Sequence, residues 1–263
     1  MNLKLLAYDI ETLVRSTGRF IRTEREEFVL NRVEFKEGRN NLVSYVDRNA
    51  EERLTTGCAA LIAGSGFIRE EGGELNPEAR FRWIIAPLDG TTNFIHDIPS
   101  YCISLALQEN KETVLGVVYD VARDVYYQAI KGEGATADEE DISVSSAPDM
   151  SHGLFTTGFP YAGSDILHDY LAVIARILQG SRGMRRFGAA ALDLAWVACG
   201  KIEGYFELGL NAWDVAAGAL LVQEAGGVVT DFSGTDNYVF GKQIVAGCPT
   251  VHAEFQEIVS TLA

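Results

Sequence analysis

Histidine is scarce in this chain: His96, His152, His168 and His252 are the full set, and no two form an HxH or HExxH arrangement. That excludes the usual histidine-based zinc site and leaves each ring a surface or packing residue. The four cysteines, Cys58, Cys102, Cys199 and Cys248, lie far apart without a CxxC pair. Neither a zinc ribbon nor a disulfide framework follows, and small buried thiols in a reducing cytosol are the expectation. No GxSxG elbow occurs, and "GSGFIRE" lacks the Lys-Ser/Thr that would complete a Walker loop. No apolar run approaches the roughly 18 residues of a membrane span. The opening "MNLKLLAYDIETLVRSTG" interrupts its helically spaced apolar residues with Asp9 and Glu11, unlike a signal peptide. A cytoplasmic protein with no membrane partner is expected.

Positive charge is also in short supply. Against 37 acids stand 22 Lys and Arg, for a formal net charge of −15. Nucleic-acid binding rests on neutralising phosphates with cationic side chains, so no nucleic-acid partner is expected. A phosphorylated small molecule is equally disfavoured unless bound cations reverse the local sign. Runs such as "REE" (25–27) and "DEED" (138–141) read as solvated faces that account for much of the acidity.

What is present is a chain of 263 residues with 47% hydrophobic content, enough for a sizeable core. The first stretch, to about Phe35, reads as amphipathic helix. A second helix begins within "GRNNLVSYVDRNAEERL", with Asp47 near its start and Glu51 one turn later. "RFRWIIA" reads as a buried strand ended by Pro87, Asp89 and Gly90. "YCISLALQ", "TVLGVVYD" and "DVYYQAI" suggest an antiparallel meander. After "SSAPDMSHG", helical and strand patterns alternate: "DILHDYLAVIARILQ", "AAALDLAWVACG", "IEGYFEL", "WDVAAGALLVQEAGG", "VVTDF" and a terminal helix in "AEFQEIVSTL". The order predicts a layered α+β sandwich, alternating helix and sheet, in one compact unit over 1–263, with lobes over 1–150 and 151–263 as an option.

The chemistry-bearing residues that remain are acids at element ends: Asp47, Glu70, Asp89 and Asp214. Oxygen-only ligands select hard cations, Mg²⁺ above all when a phosphate completes the shell. Each acid has a plain alternative. Glu70 and Glu71 suit a loop, Asp89-Gly90 is a common turn pair, and Asp214 is placed to cap a helix. Together they carry more. Asp89 leads into Gly90, Thr91 and Thr92 at a strand-to-helix junction, where free N–H groups and the helix dipole favour an anion. Thr91 is placed to pass a water proton toward a nearby acid, with Asp47 the candidate.

Residue for residue, "WIIAPLDGTTNF" (83–94) resembles the first signature of the inositol monophosphatase family at all positions but one, and "WDVAAGALLVQEAGG" (213–227) resembles the second without a gap. "FIREEGGE", "LVSYVDRNAEE" and "RRFGAAALDLAWVACGKIEGYFELGLNAWD" extend the likeness over nearly the whole chain. The resemblance implies a lithium-sensitive, Mg²⁺-dependent phosphatase using two or three ions, commonly a homodimer. Glu70 and the Leu88 carbonyl would hold one metal, with Glu70 also touching a third, and Asp89 and Asp214 would hold the second. Thr91 with Asp47 would activate water, Gly90 and Thr91 would hold the phosphate beside Thr92, and Ala190 and Glu207 would contact substrate hydroxyls. Lys36 falls where the family often has a lysine near the water.

Ala86 departs from the pattern, standing where the family has an Asp that bridges two metals. Two divalent ions about 4 Å apart repel by about 17 kcal/mol at an effective dielectric near 20, and a shared carboxylate offsets this directly. Metal affinity and turnover are therefore expected to fall severely. Survival of the other acids suits a single isolated loss better than long decay. Asn41, Ala189 and Asp97 are lesser departures, from Asp, Ser/Thr and Gly. A small-molecule phosphate ester is the expected substrate, inositol phosphate favoured over histidinol phosphate, fructose bisphosphate or a nucleotide bisphosphate. The competing expectation is a non-catalytic homologue that keeps the fold and a residual anion site.

Overall fold

The computed structural model describes residues 1–27, 45–160 and 165–263 in full, and residues 33–35 and 42–44 as backbone strands. Lys36 and Asn41 lie outside the described residues.

Helix α1 (Leu3–Glu26) begins where the Asn2 side chain accepts from the Lys4 and Leu5 amides at 3.1 and 3.3 Å. Its buried face runs through Leu6, Ile10, Val14 and Ile21, the predicted helical spacing. The helix ends at Glu26, short of the expected Phe35, which belongs to a strand pair, β1 (Val33–Phe35) with β2 (Leu42–Ser44). Helix α2 (Tyr45–Leu61) follows at once.

A large sheet comes next: β3 (Gly66–Arg69), β4 (Gly73–Leu75), β5 (Phe81–Asp89), then, after the short helix α3 (Thr91–Ile95), β6 (Cys102–Glu109), β7 (Glu112–Asp120), β8 (Val125–Ile130), β9 (Gly134–Ala137) and β10 (Glu140–Asp141). Its order is β10-β9-β8-β7-β6-β5-β3-β4. All neighbours are antiparallel except β3 beside β5. The predicted meander is its centre. A short 3₁₀ turn at Met150–His152 leads to β11 (Leu154–Thr157), α4 (Leu167–Gln179), β12 (Gly183–Arg185), α5 (Ala190–Ala198), β13 (Gly204–Leu208), α6 (Ala212–Glu224), β14 (Val228–Thr230), β15 (Gln243–Gly247) and α7 (Pro249–Val259). The second sheet has the order β12-β11-β13-β15-β14.

Strand alternation sorts the core into three apolar layers. On β5, Trp83 and Ile85 join Leu105 and Leu107 of β6 against α1 and α2. Ile84 and Ala106 point the other way, onto the alanine-rich helices α5 and α6, which also meet Tyr205, Ile244 and Ala246 of the second sheet. Phe155, Phe206 and Val245 pack the far side of that sheet against α4 and α7 through Tyr170, Ile177 and Phe255. The result is helix, sheet, helix, sheet, helix, as the sequence pattern predicts.

Candidate active site

The site is built around one irregular strand. β5 runs on through Pro87 to Asp89 rather than stopping at the proline, and its pairing with β6 shifts register between Ala86 and Asp89. In a regular strand, residues three apart face opposite sides. The irregularity cancels that, as bulges beside active sites often do. Ala86 follows Ile84 and lies opposite Ser104, whose hydroxyl donates to the Trp213 carbonyl at 2.9 Å, so it faces the α5–α6 layer. Asp89 faces the same layer, because its Oδ2 accepts from the Ala191 amide at the start of α5 at 2.7 Å. Leu88 is buried with the α1–α2 layer.

Gly90 turns the chain. Its φ of +91° is left-handed, and a Cβ there would lie 2.7 Å from the Ser100 carbonyl and 3.2 Å from Ala189 Cβ. Only glycine meets both demands. Thr91 follows as the first residue of α3, with its hydroxyl 2.7 Å from Asp47 Oδ1 and 3.0 Å from the Leu88 carbonyl. Asp47 sits in the first turn of α2 and is 1% exposed, so helix and strand meet at this hydroxyl. Thr92 is exposed on the same short helix. Asp97, where the resemblance leads one to expect glycine, has φ of +59°, a conformation Asp tolerates better than most residues, and pairs with Arg25 at 3.4 Å.

Asp214 arrives from α6. Its Oδ2 accepts from the Asn211 amide at 2.7 Å, one half of a capping box. Asp214 thus helps cap its helix from the third position, with Asn211 as the N-cap residue. Asp89 and Asp214 keep some solvent contact yet are ringed by protein. Burial pushes both carboxyls well above their usual range. The charges of Glu70 and Glu207 push Asp89 further, and that of Asp89 pushes Asp214. Four acids from four elements thus share one electrostatic basin. Glu70 is held at the end of β3 by its amide, which donates to the Ile85 carbonyl at 3.2 Å. Ala190, 7% exposed, opens α5 beside Asp89.

Glu207 on β13 is pushed up to about 7, chiefly by burial, while its hydrogen bonds and Arg186 pull the other way. Tyr205 donates to its Oε2 at 2.7 Å, and the Gly158 amide donates as well. Any side chain at Gly158 would run into that carboxylate. Sequence reading missed Tyr205 and Gly158. Tyr205 was findable, since it precedes Glu207 by two on a strand and shares its face. It also missed Asp193, 1% exposed, whose Oδ1 accepts from Thr156 at 2.9 Å and ties α5 to β11. The structure thus brings Thr91 to both Asp47 and the Leu88 carbonyl, and Asp89 into one basin with Glu70, Asp214 and Glu207.

The donor set is hard oxygen throughout, which suits a magnesium-like cation between Asp89 and Asp214, where like charge is otherwise unrelieved. Position 86, where the resemblance implies a bridging carboxylate, offers only the methyl of Ala86, 0% exposed, which does not suit a bridged pair. Among the described residues, no three His, Cys, Asp or Glu side chains converge as a ready metal site. No helix among them is long and apolar enough to cross a membrane. Three cysteines, Cys58, Cys102 and Cys248, are buried, Cys199 is half-buried, and all four are free.

The pattern of the Inositol monophosphatase family matches residues 3–262. "Nus factor SuhB" of Escherichia coli strain K12 is 40% identical over 217 residues, covering 82% of this chain and 81% of that protein. Among solved structures, "extragenic suppressor protein suhB" from Bartonella henselae superposes with a TM-score of 0.92 at 33% identity, covering 97% of this chain and 98% of that one. The inositol monophosphatase from Anabaena superposes with a TM-score of 0.87 at 29% identity, covering 100% and 98%.

Proposed function

The chain belongs to the inositol monophosphatase family, and on that premise we propose that it is built as a Mg²⁺-dependent phosphomonoesterase for a small sugar or polyol phosphate, inositol 1-phosphate first among candidates, with turnover reduced or lost through Ala86. The observation that carries the reading is the meeting of Thr91 with Asp47 at 2.7 Å beside the basin of buried acids.

In this reading Thr91 Oγ1 takes a proton from the attacking water as it passes its own to Asp47, which burial and the α2 helix hold in place; the water oxygen bonds to phosphorus as the P–O bond to the polyol breaks, and the leaving oxygen takes a proton from solvent. The amides of Gly90 and Thr91, with Thr92 at the rim, receive the phosphate at the turn. Glu207, steadied by Tyr205 and Gly158, and the backbone at Ala190 orient the polyol hydroxyls. Asp89 and Asp214 would hold one cation, and Glu70 with the Leu88 carbonyl would complete a second place only if a carboxylate stood at position 86. When bound, Mg²⁺ supplies charge neutralisation and Lewis-acid polarisation of the phosphoryl group. A homodimer and a cytoplasmic setting accompany the reading.

Ala86 favours a second reading, a non-catalytic binding protein on the same scaffold, and relatives named Nus factors carry a name that is not an enzyme's. Phosphate release with Mg²⁺ from a panel of sugar and polyol phosphates separates the two. The phosphatase reading expects weak or no release from the chain as it stands and clear release after Ala86→Asp. An inert Ala86→Asp protein that still binds inositol phosphate without Mg²⁺ supports the binding protein instead.

A further inference from the structure

Glu51 lies one turn beyond Asp47 on α2 and is 5% exposed, yet it faces no basic partner at ion-pair distance among the described residues. It is engaged elsewhere. Its Oε2 accepts from the Glu71 amide at 2.8 Å, and the Gly72 amide turns to the same carboxylate. These are the two residues after Glu70. On its other side, Glu70 is tied through its own amide to Ile85, the residue before Ala86. The turn is closed from outside by Arg69, which donates to the Gly72 and Gly73 carbonyls at 2.8 and 3.2 Å.

Glu70 therefore hangs between two anchors. One is the β5 backbone, which also carries Ala86 and Asp89. The other is the carboxylate of Glu51, on the helix that carries Asp47. We infer that Glu51 is a positioning residue, whose carboxylate clamps the Glu71 and Gly72 amides and so fixes Glu70 relative to the Thr91–Asp47 pair. Charge-assisted hydrogen bonds to backbone amides are strong and directional, and the one from the Glu71 amide, with the Gly72 amide turned to the same carboxylate, defines the orientation of the turn. The inference rests on the reading of Glu70 as a cation ligand.

A polar cavity of about 280 Å³ opens beside this clamp, lined by Arg48, Glu51, Thr55, Arg69, Glu71 and Gly72. Water standing there can take over the freed amides when Glu51 is shortened. The fold is then kept while the aim of Glu70 is lost, which makes the inference testable apart from stability.

The test uses Glu51→Ala, Glu51→Gln and Gly72→Ala, each in the chain as it stands and combined with Ala86→Asp. Gly72→Ala presses on the clamp from outside, since a Cβ there lies 2.8 Å from Glu51 Oε1. Amide hydrogen exchange and Mn²⁺ titration are the readouts. In both backgrounds Glu51→Ala is expected to speed exchange at Glu71 and Gly72 by about tenfold or more, with the β5–β7 amides unchanged; in the Ala86→Asp background, where Glu70 completes a cation place, it is expected to weaken Mn²⁺ binding by about tenfold, as loss of a ligand-orienting partner does. Glu51→Gln, which keeps one acceptor oxygen, should recover most of the affinity, and Gly72→Ala should reproduce the loss should Glu51→Ala fail to fold. Unchanged exchange overturns the inference. So does faster exchange with unchanged Mn²⁺ affinity, which makes Glu51 purely structural, and so does a protein that takes up no Mn²⁺ with or without Ala86→Asp. If Ala86→Asp releases no phosphate but loses Mn²⁺ affinity on Glu51→Ala, the clamp stands and the phosphatase reading fails.

Discussion

Restoring a carboxylate by Ala86→Asp should destabilise this protein without magnesium and stabilise it with magnesium. Ala86 is 0% exposed and, through the register shift in β5, faces the same layer as Asp89. A new carboxylate there enters a basin already holding Asp89, Asp214, Glu70 and Glu207, where burial pushes Asp89, Asp214 and Glu207 upward and like charge adds to the push on Asp89 and Asp214. An uncompensated buried charge costs about 3–5 kcal/mol. In excess chelator at pH 8 the variant should therefore unfold well below the parent in a thermal melt. Added Mg²⁺ binds only the folded basin and returns about 2.7 kcal/mol at a hundredfold excess over Kd, so the variant's melt should rise steeply with Mg²⁺ while the parent's shifts little. Differential scanning calorimetry with and without chelator reads both arms. Equal stability of the two proteins in chelator, or a parent that gains as much from Mg²⁺ as the variant, would refute the placement of position 86 in the acid basin.

Glu207→Gln tests the basin from the substrate side. Its folded pKa of about 7 lies above the usual carboxylate value, so the folded state binds the extra proton, and stability falls as pH rises from about 4.5 to about 7. The Gln variant should gain about 2 kcal/mol over the parent at pH 8, allowing for solvent reaching the cleft, and nothing at pH 4.5; denaturant titration at both pH values checks it. Thr91→Val, in the Ala86→Asp protein, should cut phosphate release by about a hundredfold or more and Thr91→Ser much less, read by steady-state release at saturating substrate. Tyr205→Phe frees the Glu207 oxygen and should raise KM for a polyol phosphate several-fold with kcat nearly kept.

Much of this architecture is legible in the residues. The meander from Cys102 to Ile130 shows as apolar runs parted by polar connectors, and α4 and α7 as amphipathic spacing, whereas α5 and α6 are apolar nearly all round and show by their length and small residues. What escaped has a physical cause. "LFTT", "GMR" and "QIVAG" become β11, β12 and β15, strands of three to five residues too short to show alternation. The helix expected to reach Phe35 stops at Glu26, because strand pairing with Leu42–Ser44 outweighs local propensity. Pro87 was read as a strand end, whereas it sits inside a register shift that proline tolerates. At the site, Asp89 and Asp214 could be named because they stand in two long motifs, and Asp47 and Glu70 because they stand at element ends. Of their supports, Tyr205 follows from strand spacing, whereas Gly158, Asp193 and the Glu51 clamp come together only through tertiary contacts between distant segments.

The capping box at the head of α6 carries a consequence for the missing ligand. Asp214 is oriented by its own helix, whether or not an ion is near, so this corner of the centre is preset rather than summoned. On the proposed reading, this acid keeps its aim in a chain that carries Ala86, because backbone geometry guards it.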